Sequence, residues 1–197
     1  MARDRRSEIL DVAGEIFLEQ GYAAASMSAI AARLGGSKGT LYNYFESKEE
    51  LFRAYVERQC ALSAETIFGG DTEGSDIAAL LTDLGFRYLT RLTSDDKMRH
   101  LRTVIAEAGR YPEIGAMFFE TGPGSGRRRL AAIFERAAAE GRMNAHDPLR
   151  AADQFLALCQ ATLYKQRLFN VAKVPAADAI REDVNAAVTT FMAAYGA

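Results

Sequence analysis

The chain has 197 residues, with 24 Lys+Arg against 26 Asp+Glu, two His, two Cys and no Trp, and 49% of it is hydrophobic. This is the composition of one or two ordinary globular domains. Apolar runs stop at five residues, as in Leu130–Phe134 and Phe155–Cys159, where a membrane-spanning helix needs ~20.

The start, Met1-Ala-Arg-Asp-Arg-Arg6, lacks the apolar stretch of a secretory signal. Cys60 and Cys159 cannot make a disulfide framework, so a cytoplasmic protein is expected. Two Cys and two scattered His offer no ligand pair at a useful spacing, and no metal or cofactor is expected. Strands have no support, because alternating β-branched runs bounded by turn dipeptides are missing. The fold is expected to be all-α.

The first helix is predicted over about residues 4–20, with Ile9, Ala13, Ile16 and Phe17 on one stripe and Gly21 as its stop. Ser26 is an N-cap for a short second helix carrying Met27, Ile30, Ala31 and Leu34, ended by Gly35-Gly36. Ser37 caps a third helix, Lys38 to about Tyr44, whose buried side is Leu41 and Phe45. Ser47-Lys-Glu-Glu50 has the form of a capping box and opens a long helix reaching toward Phe68. A seam follows at Gly69–Ser75. Beyond it helices are expected near 76–92, 95–109, 112–120, 124–141, 148–170 and 176–195, the last two being the most regular. Thr121–Gly126 reads as a flexible connection, since it lacks the strand before and the Lys-Ser/Thr after that a phosphate loop needs.

Two short helices joined by a glycine-containing turn, with a third helix ahead of them, form a helix-turn-helix over residues 26–45, whose second helix would enter a DNA major groove. That helix is too short to be stable alone and must be held by packing. Its other residues, Lys38, Gly39, Thr40, Tyr42, Asn43 and Tyr44, are small, hydrogen-bonding or aromatic. Exposed tyrosines there can bond phosphate while their rings lie against sugar or a thymine methyl. Residues 1–48 carry six Lys/Arg and six Asp/Glu, so DNA affinity has to come from a sorted face, with the first helix's carboxylates turned away.

Residues 7–55 closely resemble the N-terminal domain of the tetracycline-repressor (TetR) family of bacterial transcription regulators. The resemblance is carried by Ile9-Leu-x-x-Ala13 with Phe17, by Gly21-Tyr22, by Ser26-Met-x-x-Ile30-Ala31, by Gly36-Ser-Lys-Gly-Thr-Leu-Tyr-Asn-Tyr-Phe45 and by Ser47-Lys-Glu-Glu-Leu51. It implies a homodimer on a palindromic double-stranded DNA operator, with residues 1–50 as the DNA-binding domain. Residues 51–197 are then a helical regulatory domain that binds a small effector. Carried over position by position, it implies phosphate anchoring by Ser26 and contacts from Ser37, Lys38, Gly39 and Thr40 at the start of the recognition helix. It implies phosphate clamping by Tyr42, Tyr44 and Lys48, and a variable contact from Asn43. At Gly39 the missing side chain points to close backbone approach. Arg3, Arg5 and Arg6 form a basic arm that either reaches DNA or is a solvated tail.

The segment 97–114, KMRHLRTVIAEAGRYPEI, is similar to one in the AefR-like subgroup of that family. Effector candidates are Phe86, Tyr88, Met98, Leu101, Met117, Phe118, Phe155, Cys159 and Tyr164, which a helical core would use equally. Dimerisation is expected mainly through 148–195, with Phe155, Leu158, Thr162, Phe169, Val184, Val188 and Phe191 on the candidate face, although the monomer could cover these helices itself. The expected function is that of a ligand-responsive repressor released by a small apolar or aromatic effector. The alternatives are an architectural DNA binder without effector and, from another class, an all-helical enzyme, for which no nucleophile-base pair is present.

Overall fold

A computed structural model of the chain describes residues 4–70, 76–144 and 147–197. Arg3, His146 and most of the Gly69–Ser75 seam lie outside the described residues. Among the described residues the chain forms eleven helices and no strand. They are α1 (Arg5–Ala24), α2 (Met27–Arg33), α3 (Lys38–Tyr42), α4 (Lys48–Phe68), α5 (Ile77–Thr93), α6 (Asp95–Ala108), α7 (Pro112–Thr121), α8 (Pro123–Ala139), α9 (Pro148–Cys159), α10 (Leu163–Leu168) and α11 (Ala177–Tyr195). None of them is long and apolar enough to cross a membrane. The fold is all-α.

Two compact units result: the chain up to Leu62 with Arg99–Thr121, and Ser63–Met98 with Gly122–Ala197. Division by packing thus differs from division by expected role at residue 50, because the end of α6 and all of α7 pack in the first unit. Its core joins the predicted α1 stripe to Ile30, Leu41, Phe45, Leu51 and Phe52, with Val104 and Ile114 from α6 and α7. Phe17 meets Phe52 edge-on at 4.9 Å, a favoured aromatic geometry. In the second unit α5, α8, α9 and α11 surround Leu81, Leu130, Phe134, Phe155, Val184 and Phe191.

The local signals act largely as read. Gly21 breaks α1 at φ 80°. Ser26 accepts from the Ala29 N–H at 3.2 Å and Ser37 from that of Thr40 at 3.1 Å. The capping box is shifted: Ser47 Oγ accepts from the Glu50 N–H, but the Glu50 carboxylate accepts from Glu46 N–H, one residue before the cap. The third helix is shorter than expected, ending at Tyr42.

Two expectations are corrected. Thr121–Gly126 is not a flexible connection, because Gly122 alone separates α7 from α8 and the next four residues form the first turn of α8. The helix expected over 148–170 is split at residues 160–162. Where the chain turns helical again the Asp183 carboxylate accepts from the Leu163 N–H at 3.3 Å, and beside the break the Gln160 side-chain amide donates to the Tyr88 hydroxyl. After the break Phe169 turns to solvent, 75% exposed, instead of continuing the Phe155 face.

Helix α1 packs so closely on α4 that a Cβ on Gly14 would lie 2.3 Å from Tyr55 Cε2, a side chain that is itself buried. Alanine gains about 1 kcal/mol of helix propensity over glycine, yet overpacking costs about 1–3 kcal/mol. Gly14→Ala is therefore expected to lower stability, as a reduced urea midpoint at unchanged m-value.

Candidate nucleic-acid interface

Helix α3 has five residues, about one and a half turns, and only tertiary packing holds it. Leu41 and Phe45 are buried beneath it, and the N–H groups of Tyr44 and Phe45 both donate to the Leu41 carbonyl at 3.1 Å. The turn before it is fixed just as locally. Gly35, at φ 65°, donates to the Ala32 carbonyl and Gly36 to that of Ala31, a Schellman ending whose left-handed position favours glycine.

What remains facing outward is the set predicted from the sequence. Ser26, Ser37, Lys38, Gly39, Thr40 and Asn43 are exposed, and Tyr42 and Tyr44 are 42% and 40% exposed. Lys38 Nζ stands 5.7 Å over the Tyr42 ring. Ser37 Oγ lies 2.9 Å from Thr40 Oγ1. A Cβ on Gly39 would meet Ser37 Oγ at 3.7 Å, an ordinary contact, so nothing within the chain requires glycine at this position.

The described part of the basic arm, Arg5 and Arg6, belongs to the first turn of α1. The Arg6 guanidinium lies 4.9 Å over the Phe45 ring, and Arg5 pairs with Glu8 at 2.6 Å. A Cβ on Gly36 would come within 3.4 Å of Arg5 Nη2, which puts the arm beside the turn. Two further acids of α1 are paired, Asp11 with Arg58 at 2.6 Å and Glu19 with Arg33 at 2.8 Å, while Glu15 stays exposed. This leaves Lys38, Thr40, Tyr42, Asn43 and Tyr44 as a hydrogen-bonding and cationic edge.

Lys48 departs from its expected place on that edge. Its ammonium donates to the carbonyls of Tyr22, Ala23 and Ala25 at 2.9, 3.3 and 3.1 Å. It also stands 4.5 Å over the Tyr22 ring. Tyr22 was not singled out from the sequence, although Gly21-Tyr22 marked the place. It packs on Phe17, Phe52 and Tyr111, and burial, with Glu49 adjacent, raises its phenol above the ordinary range.

The nine effector candidates divide between the units. Leu101, Met117 and Phe118 belong to the first, whereas Phe86, Tyr88, Met98, Phe155, Cys159 and Tyr164 belong to the second. Phe155 and Cys159 are fully enclosed, and burial pushes the Cys159 thiol up to about 12. Phe86 lines an open groove of about 340 Å³ with Ala79, Thr82, Asp83, Arg181 and Val184. The dimer candidates Phe155, Val184 and Phe191 are enclosed by the chain's own helices. They cannot meet a second copy directly, and Val188 barely can. Leu158, Thr162 and Phe169 retain surface.

Residues 9–55 match the bacterial regulatory proteins of the tetR family, and residues 79–197 match the C-terminal domain of AefR-like transcriptional repressors. The solved structure of the flavonoid-responsive regulator FrrA is 32% identical, with a TM-score of 0.87 over 98% of this chain and 97% of its own. The transcriptional activator FasR of Mycolicibacterium smegmatis is 47% identical over 55 residues, 28% of this chain and 25% of FasR. The regulator UidR of Escherichia coli K12 is 44% identical over 72 residues, 34% of this chain and 37% of UidR. The chain thus covers a quarter to little more than a third of these two curated relatives. Its two family matches leave no doubt of its kind: it belongs to the TetR family, with an AefR-like C-terminal domain, and is a DNA-binding transcriptional regulator and not an enzyme.

Proposed function

We propose that the protein is a homodimeric repressor that binds a palindromic operator and is released by a small apolar or aromatic effector. The observation that carries the DNA reading is the five-residue α3, anchored by Leu41 and Phe45, with Lys38, Thr40, Tyr42, Asn43 and Tyr44 all outward. Ser37, Lys38 and Thr40 would meet base edges and phosphate, with the Lys38 ammonium on phosphate, and Ser26, Tyr42 and Tyr44 would bind further phosphates, with Arg5 and Arg6 alongside. The exposed Gly39 supports close approach of the backbone, since the fold gives no reason for its missing side chain. Helix α4 starts in the DNA-binding unit and ends in the other, which suits it to couple effector and operator. An aromatic effector is supported by FrrA, a full-length relative that is flavonoid-responsive by name, and repression by the AefR-like half.

The dimer would form through the surface left by α9–α11. Val171, 75% exposed, and Val174, 50% exposed, join Phe169 on a loop too apolar for a solvated turn. That loop is held by backbone and side-chain hydrogen bonds. Asn170 takes φ 60° in a second Schellman ending. The buried Arg167 donates to the Thr93 and Ala172 carbonyls at 2.9 Å and pairs with Asp95.

Selection of bound sequences from a random DNA pool is expected to yield an inverted repeat. A pool without enrichment would overturn the DNA reading, and non-selective binding would favour the architectural alternative. Tyr42→Phe is expected to weaken the selected duplex about ten-fold, the loss of a charge-assisted hydrogen bond of roughly 1.5 kcal/mol. Gly39→Ala separates fold from contact: thermal stability unchanged or raised, with operator affinity reduced ten-fold or more by anisotropy. Phe169→Asp is expected to shift sedimentation toward monomer at micromolar concentration, and an unchanged dimer would remove this loop from the interface.

A further inference from the structure

The residue just past the recognition helix is tied to the residues just before the helix-turn-helix begins. Lys48 opens α4, and its three ammonium donors meet three carbonyls of the α1–α2 corner: Tyr22, Ala23 and Ala25. Those carbonyls are orphaned because Gly21 breaks α1 before its final turn is completed. The Tyr22 ring below the ammonium adds a cation–π contact at 4.5 Å. Residues 26–46, the whole hairpin of α2 and α3, are thereby closed at its base by a single side chain. The corner is gripped on its other side, where the Glu107 carboxylate accepts from the Ala23 N–H at 3.4 Å.

The geometry points to Lys48 as a positioning residue for operator reading and not a phosphate contact, an inference that rests on the DNA-binding function proposed above. A lysine with every donor engaged by backbone carbonyls would have to abandon three hydrogen bonds to reach a phosphate. What it supplies in place is the angle between the α2–α3 hairpin and the scaffold of α1 and α4. Base readout depends on that angle, whereas non-specific attraction to phosphate does not.

Salt dependence separates the two roles. Each phosphate contact contributes about 0.9 to the slope of log K against log salt. With full-length protein, Lys48→Met is expected to keep the wild-type slope and lose about ten-fold in affinity for the selected operator. On a random-sequence duplex its affinity should change less than about two-fold, and Lys38→Met should lower the slope by about 0.9 per protomer. A slope lowered by about 0.9 per protomer in Lys48→Met would make it a phosphate contact and overturn the proposal. A lowered melting temperature with both affinities intact would make it merely structural and overturn it equally. Lysine acetylation read by mass spectrometry needs no variant, should Lys48→Met not fold. Lys48 should react slowly with or without operator, and Lys38 quickly unless operator is bound. A Lys48 as reactive as Lys38 and protected by operator would contradict the arrangement. Wild-type protein that selects no DNA sequence would instead remove the functional reading itself, a failure distinct from any of these.

Discussion

A recognition helix of five residues has no stability of its own, and everything proposed for this protein depends on the apolar contact that holds it. Leu41 and Phe45 enter a core built from Ile9, Ile16, Phe17, Ile30 and Phe52, and each such side chain contributes roughly 1.5–3 kcal/mol on burial. Because those two positions alone are committed to packing, the neighbouring residues of α3 are free to be chosen for contact. That division explains how so short an element can carry two exposed tyrosines without loss of order.

Charge is arranged on the same scaffold. The N-terminal 48 residues are neutral in sum, and three of their six acids sit beside a cation, Glu8 by Arg5, Asp11 by Arg58 and Glu19 by Arg33. Such exposed pairs add little stability. Their consequence is electrostatic, since carboxylates beside a partner cation repel a phosphate backbone less. The arm does double duty: Arg6 rests on Phe45, one of the two residues that hold the recognition helix.

The second unit follows another economy. Its aromatic cluster, with Phe134 stacked on Phe191 at 5.2 Å and Phe155 edge-on to Phe191 at 5.3 Å, commits to the core side chains whose spacing equally suits an interface. Surface apolarity is then concentrated in the loop held by Arg167, and the open groove at Phe86 is bordered by Arg181, whose guanidinium covers that ring at 4.5 Å.

The caps, breaks and apolar stripes were legible in the sequence because each is a short-range effect. Ser26 and Ser37 bond amides three residues on, Gly21 and Gly35 turn where they stand, and Leu41 and Phe45 share a face by helical spacing alone. The outward set on α3 was legible for the same reason, being what remains when the buried positions are removed. Tertiary structure decided whatever required a partner distant in sequence. Asp183 caps the Leu163 N–H where a helix whose own pattern continued is interrupted, and beyond that break Phe169 turns outward. Phe155, Val184 and Phe191 were ambiguous between core and interface, since burial within one chain and burial between two demand the same apolar spacing. Lys48 was a cation beside a DNA-binding motif until the broken end of α1, some 25 residues earlier, supplied three carbonyls for its three donors.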